Sequence, residues 1–282
     1  MLQRINEQIV TDTEQSVLTT ENFFGIKTGF KNLDHFTGGF ANGQLIIMGA
    51  RPSMGKTTFA CSLINNVCVK DGKSCVFYTS EMSANQILYR LIRMHGNVKY
   101  YEKDGEEYIE KIKDASDKVE KARLWLDDTC VGKPFEFILK CREIGKTERV
   151  DLIIIDYLQL FENSTSHLDD ELRSLKKLAE ELNCPVLVLS LLKRSVEKRK
   201  DRIPQISDLP LHKIIKATAD RILFLYRSSY YDLRADKNLA TIFVARHRMH
   251  RRIKTSIYFD PDIPMFQTDL SFISSKKGYT SE

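Results

Sequence analysis

Residues 50–57 of this chain read Ala50-Arg51-Pro52-Ser53-Met54-Gly55-Lys56-Thr57, and Thr58 follows. A Gly-Lys-Thr step closing a short loop suits one kind of chemistry. Backbone N–H groups of such a loop, together with the N-terminus of a following helix, converge on phosphate oxygens. Lys56 adds a point charge at the β- and γ-phosphates, and Thr57 offers a hydroxyl to Mg²⁺. The pattern is a phosphate-binding loop with Ala50 in place of its first glycine, and residues Ala50, Arg51, Pro52, Ser53, Met54, Gly55, Lys56, Thr57 and Thr58 are its candidate contacts for a nucleotide. Two carboxylates belong with it. Asp156 ends the apolar run LIIID (152–156), and a carboxylate at the C-terminal tip of a buried parallel strand is where such a site holds Mg²⁺ through water. Glu81 follows SCVFYT (74–79), which brings it to the same sheet edge, where it can orient an attacking water. The plainer alternatives are a turn or helix-cap aspartate at 156 and an ordinary capping acid at 81.

These side chains need strands and helices in alternation, and the chain supplies them. Gln44–Met48 is a short apolar run before the loop, and Thr57–Lys70 has helical spacing after it. Ser74–Thr79, Arg123–Asp127, Val150–Asp156, Pro185–Ser190, Ala219–Tyr226 and Leu239–Ala245 read as strands, with Thr255–Phe259 at the edge. Ala84–His95, Tyr100–Ala122 and Leu168–Leu182 read as helices. Unbroken apolar strands imply burial on both faces, so the fold class is α/β, a mainly parallel twisted sheet covered by helices on both sides. Residues 1–22 form an N-terminal arm, 23–270 the domain, and 271–282 a tail.

Composition excludes several classes. Gly (13) and Pro (7) are sparse among 282 residues, which rules out a collagenous or low-complexity chain. The longest apolar run is far short of the roughly 20 residues a membrane helix needs, so no membrane partner is expected. The N-terminus lacks the basic, apolar and small-residue sequence of a signal peptide. Six cysteines without metal spacing read as buried reduced thiols in a cytoplasmic protein. The net charge of +5 is modest, but its distribution is informative. KRSVEKRKDR (193–202) carries six basic and two acidic residues, and RHRMHRRIK (246–254) five basic residues and no acid. Either segment suits a polyanion or a solvated face. Trp125 reads as core. Tyr230-Tyr231 suit packing, a subunit contact or a base.

Taken in order, GIKTGFKNLDHFTGGF (25–40), GARPSMGKTTFA (49–60), SEMSANQILYR (80–90), IIIDYLQL (153–160), the block from Ser190 through SDL (207–209), and ADRILFLYRSSYY (219–231) resemble one family. It is the DnaB-type replicative helicases, of the RecA-like group of P-loop ATPases, and the resemblance covers roughly residues 25–266. It implies ATP and Mg²⁺ as cofactors, Lys56 and Thr57 on phosphate and metal, Glu81 as the water-activating carboxylate and Asp156 as the acid of the second ATPase motif. It implies Arg248 as an arginine finger reaching a neighbour's ATP site, with Arg246 in place of the family's lysine. A finger of this kind is worth roughly 10³–10⁵ in rate. The resemblance further implies a homo-oligomeric, hexameric ring around single-stranded DNA, 5′-to-3′ travel, a helicase loader as a partner, and an N-terminal arm packed on the adjacent subunit. The family's N-terminal helical domain, which meets primase, has no counterpart among these residues.

Departures from the pattern weigh on the second half. Leu191 stands where the family has a γ-phosphate-sensing Gln. Pro210-Leu211-His212-Lys213 stands where it has Arg-Glu-Ser-Gly on a DNA-gripping loop, and Met249-His250 replaces Asn-Gly. Lys193, Arg194, Lys213 and Lys216 remain as candidate DNA contacts, as do Arg251 and Arg252. Three readings follow. The first is a DNA-translocating ATPase acting in replication. The second is a divergent ATP-binding regulator, loader or inhibitor, favoured by Leu191 and Pro210 and opposed by Glu81 and Arg248. The third is a recombination- or clock-type relative.

Overall fold

The computed structural model describes residues 25–129, 134–156, 168–246 and 253–268, with the backbone alone at 134, 168 and 246. The N-terminal arm, the tail, Cys130, Tyr157–Leu160, Arg248 and the run from His247 to Arg252, and the side chain of Arg246, lie outside the described residues.

The described residues open with a two-stranded ribbon, β1 (Gly25–Ile26) paired antiparallel with β2 (Phe40–Ala41), around a short helix α1 (Lys31–Thr37). Then β3 (Leu45–Ala50), α2 (Lys56–Ile64), β4 (Cys75–Thr79), α3 (Ala84–His95), α4 (Glu106–Glu120), β5 (Leu124–Asp127), α5 (Pro134–Thr147), β6 (Leu152–Asp156), α6 (Leu168–Glu181), β7 (Val186–Leu191), α7 (His212–Thr218) and β8 (Arg221–Tyr226) alternate. Strands β9 (Leu239–Arg246), β10 (Ile253–Asp260) and β11 (Met265–Gln267) finish the sheet. The nine strands lie in the order β11-β10-β9-β8-β3-β7-β6-β4-β5. Pairing is parallel from β8 through β5 and antiparallel from β8 out to β11.

Successive residues of each central strand point to opposite faces. In β3, Ile46 and Met48 pack with Phe59 and Leu63 of α2 and with Ile87 and Leu91 of α3. Leu45 and Ile47 pack with Phe137 of α5, Leu172 and Leu175 of α6, and Ile215 of α7 on the other face. Both sets are buried, so the central strands carry apolar residues at every step. Each such side chain contributes roughly 1.5–3 kcal/mol of burial.

Four features differ from the sequence expectation. Thr255–Phe259 lies within β10 but is not the sheet edge, because β11 pairs outside it with Tyr258 opposite Gln267. β11 is three residues long, too short for a periodic signal. The helix expected over 57–70 stays α-helical only to Ile64 and widens into a π-helical stretch over Asn65–Lys70. The charged helix expected from Tyr100 starts at Glu106, after Gly105 with φ 96°. Helix α5 was not expected: Pro134 suits a helix's first turn, but the apolar spacing of Phe137, Ile138 and Cys141 is short. Among the described residues, no helix is long and apolar enough to cross a membrane.

Candidate functional site

Parallel register brings the chemistry together. Ala50 at the end of β3 lies beside Leu191 at the end of β7, and Thr79 at the end of β4 beside Asp156 at the end of β6. The C-terminal tips of β3, β7, β6 and β4 therefore form one edge, on which open α/β sheets bind ligands. The connection β3–α2–β4 passes over β7 and β6 to reach its partner, which opens a crevice at that edge.

The loop between β3 and α2 is built tightly. Gly55 has φ 98°, and a Cβ there would come to 3.1 Å from the Phe266 ring, so any other residue would be strained there and would press on that ring. Ser53 is left-handed at φ 64°, a conformation that non-glycine residues adopt at a cost. The loop thus curls over a cavity at the head of α2. That cavity is about 340 Å³ and is lined by Pro52, Ser53, Gly55, Lys56, Thr57 and Thr58, with Glu81, Met82, Arg90 and Leu191 opposite. A neighbouring cavity of about 370 Å³, walled by Tyr89, Arg90, Arg93, Met94, Tyr100 and Pro264, is lined by no residue of the phosphate loop and by no carboxylate.

Lys56 is 7% exposed. Burial pulls its ammonium below the ordinary lysine value, against the pull of the Asp156 and Glu81 carboxylates, and Arg51 adds to the depression. Thr57 Oγ1 donates to Asp156 Oδ2 at 2.6 Å. Asp156 is fully buried, and its other oxygen, Oδ1, has no hydrogen-bond partner among the described residues. Burial pushes this carboxyl up to about 6, with the Thr57 hydrogen bond opposing and the Glu81 charge adding. A buried oxygen without a donor is costly, and a hydroxyl and a carboxylate at this spacing are hard oxygen donors that fit a magnesium ion. Glu81 faces Lys56 across the cavity from the strand–helix junction, where Ser83 caps α3 in a reciprocal box with Gln86.

Not every residue named from the loop faces the cavity. Ala50 and Met54 are buried in the core, so their part in holding a nucleotide is confined to backbone groups. The Arg51 guanidinium turns toward Glu197 and the carbonyl of Leu192. Leu191 does line the cavity, at the position read as the missing sensor. Lys193 and Arg194 are exposed just beyond β7, and Lys213 and Lys216 are exposed on α7. The structure sets these two pairs on separate pieces of the crossover from β7 to β8. Trp125 is half-buried against the second core face, as read. Tyr231 packs on Tyr226 with the Arg202 guanidinium 4.9 Å from its ring centre, and neither tyrosine lines the cavity. Cys61, Cys68, Cys75, Cys141 and Cys184 are free buried thiols.

Sequence reasoning assigned no role to Arg90 or Glu197. Arg90 lines the cavity and donates to Thr58 Oγ1 at 3.3 Å. Its signal was available: it lies two turns beyond the Ser83 cap, which returns it to the capped face of α3. Glu197 reaches the loop across 146 residues, and no local pattern marks it.

Residues 25–268 match the family model described as the DnaB-like helicase C terminal domain. The chain is 38% identical over 236 residues to a replicative DNA helicase DnaB of Geobacillus stearothermophilus, covering 79% of this chain and 52% of that protein. It is 37% identical over 236 residues to a replicative DNA helicase DnaC of Bacillus subtilis, with the same coverage. It thus spans about half the length of the curated relatives it matches. A solved ATPase domain superposes with a TM-score of 0.85 at 30% identity, over 95% of this chain and all of that one. A DnaB-like replicative helicase, in a structure titled for its interactions with primase, gives a TM-score of 0.82 at 30% identity, over 95% of this chain and 67% of that one.

Proposed function

The chain belongs to the DnaB-like helicase C-terminal domain family, and on that membership we propose that it is the ATP-hydrolysing motor of a replicative helicase, moving on single-stranded DNA as a ring. The observation that carries the reading is the convergence of Lys56, the Thr57–Asp156 pair and Glu81 on one cavity over the phosphate loop.

Each residue then has a task. The N–H groups of Ser53, Gly55, Lys56 and Thr57 bind the phosphates, and Lys56 neutralises charge at the β- and γ-positions. Its low exposure makes that charge worth more than it would be in water. Thr57 and Asp156 would hold Mg²⁺, Asp156 through water, and the ion when bound would supply charge stabilisation at the phosphates. Glu81 accepts a proton from, or orients, the attacking water. Arg90, tied to Thr58, adds a cation to the wall facing the loop. Arg248 and Arg246 of one subunit would complete the site of the next, which makes activity depend on assembly. Lys193, Arg194, Lys213 and Lys216 supply charge for DNA phosphates. In this reading residues 1–22 pack on a neighbouring subunit, 23–270 form the motor and 271–282 a tail. The ring is a hexamer served by a loader in the cytoplasm.

The test is steady-state ATPase with and without single-stranded DNA, at concentrations that allow rings, beside Glu81→Gln. DNA-stimulated turnover that falls about 10²–10⁴-fold in the variant, with nucleotide binding kept, is the expected result. Nucleotide binding with no turnover at any concentration would sink the motor and leave a divergent ATP-binding regulator.

A further inference from the structure

Arg51 belongs to the phosphate loop yet points away from the cavity. Its Nε and Nη2 meet Glu197 Oε1 at 2.9 and 2.8 Å, and Nη1 donates to the Leu192 carbonyl at 2.6 Å. Backbone adds a further tie, from the Leu192 N–H to the Ala50 carbonyl at 3.1 Å. Glu197 sits in the 3₁₀ turn Arg194–Lys198, directly after β7.

That turn is part of a larger clasp. Asp208 is 2% exposed and accepts two hydrogen bonds from Arg199, at 2.7 and 2.6 Å, and one from the Gln205 N–H at 2.7 Å. Its backbone carbonyl accepts from the Lys193 N–H at 2.9 Å. Burial pushes the Asp208 carboxyl up, but the Arg199 and Gln205 hydrogen bonds hold it below its ordinary value. Residues 193 to 208 are thereby closed on themselves at both ends, and the clasp's side-chain link to the phosphate loop is Glu197. Four cations on it, Lys193, Arg194, Lys198 and Lys200, are exposed.

β7 itself contributes Leu191 to the cavity wall, an aliphatic side chain that cannot donate to a phosphate. The polar side-chain route from the loop to the basic turn runs instead through Arg51. We propose that the Arg51–Glu197 pair couples nucleotide occupancy of the loop to single-stranded DNA binding by the 193–200 turn, with Glu197 acting as a positioning residue. As the backbone of 51–55 settles on phosphates, Arg51 carries Glu197 with it and re-aims the four cations. Linkage makes the coupling reciprocal, so DNA changes nucleotide affinity by the same factor. The inference rests on the proposed ATP and DNA binding. The Glu197 side chain is 38% exposed and that of Arg51 only 10%, so Glu197→Ala strips a buried guanidinium of its carboxylate, and the melting temperature of each variant is measured beside its coupling.

The experiment measures the affinity of the full chain for a fluorescent single-stranded oligonucleotide, with and without Mg²⁺ and a non-hydrolysable ATP analogue. Wild type is compared with Glu197→Ala and with the charge-conserving Glu197→Asp. In wild type the analogue is expected to shift DNA affinity by about tenfold, within the usual range of coupling between sites. In Glu197→Ala the ratio falls to near one, while each ligand measured alone binds within about threefold of wild type; Glu197→Asp restores part of it. An Ala variant that keeps the full ratio overturns the inference, and so does a wild type that binds both ligands independently. A wild type that binds neither ligand overturns the proposed function itself. Should Glu197→Ala melt early, Glu197→Gln, which keeps the shape and removes the charge, gives the same reading.

Discussion

The phosphate loop and the crossover from β7 to β8 handle positive charge in opposite ways. Lys56 and Arg51 are 7% and 9% exposed, each held in a low-dielectric setting with carboxylates near. Lys193, Arg194, Lys213 and Lys216 stand in solvent, the first two at a 3₁₀ turn and the last two on the short helix α7. A buried, preorganised cation acts strongly on one small ligand and is hardly screened. A set of exposed cations acts weakly and additively on a polymer, and salt weakens it. A point site needs each group in place, whereas a charged surface needs only the sum.

The largest effect belongs to the buried side. Lys56→Ala should lower ATP turnover on the order of 10³-fold. The loss should persist with little change between roughly 50 and 200 mM salt, because the site is shielded from counterions. A loss that salt erases in a rate assay would place Lys56 with the surface cations and break the comparison.

Asp156 sharpens it through pH. Its folded carboxyl is raised from 3.8 to about 6, so the folded state binds the proton more tightly than the unfolded chain does. Ligand-free stability from this group is therefore full below about 4 and lost as pH rises through about 6. Magnesium-dependent turnover runs the other way, falling in acid, because the ion needs the carboxylate, and a bound ion moves that fall to lower pH than in the ligand-free chain. Asp156→Asn should abolish that turnover while raising the melting temperature of the ligand-free chain at pH 7 by several degrees. A variant that melts earlier would show that the buried charge is compensated.

The smallest effects lie on the exposed side. Lys193→Ala and Lys213→Ala should each weaken single-stranded DNA binding only a few-fold and lower the slope of log affinity against log salt by up to about one. Unstimulated ATPase should not change. Loss of the unstimulated rate in either variant would join the two regions more closely than the geometry does.

Much of this was legible before any coordinates. The central strands announce themselves because burial on both faces demands apolar residues at every step, as in Leu152–Ile155. The loop is legible because its glycine, lysine and threonine each meet a local requirement. Helix α5 and strand β11 were not legible. The apolar positions of α5 are few, and three residues of β11 hold no period; it exists because β10 offers an unpaired edge and Phe266 packs beside Gly55. The pairing of Arg51 with Glu197 was equally invisible, and Arg51 read as a phosphate contact because its neighbours are.

By itself, the sequence determined the kinds of chemistry available and the strand ends on which they sit: a cation and a hydroxyl after β3, and acids after β4 and β6. Those are short-range properties, set by side-chain type and by the two periodicities of backbone structure. Only the tertiary structure decided that Lys56, Thr57 and Glu81 line one cavity with Asp156 bonded behind Thr57, since parallel register fixes which strand tips lie side by side over separations of up to a hundred residues. It also decided where the Arg51 side chain goes. A long guanidinium takes the direction in which it finds a carboxylate and a carbonyl, and both of those belong to a segment the loop meets only when the sheet has formed.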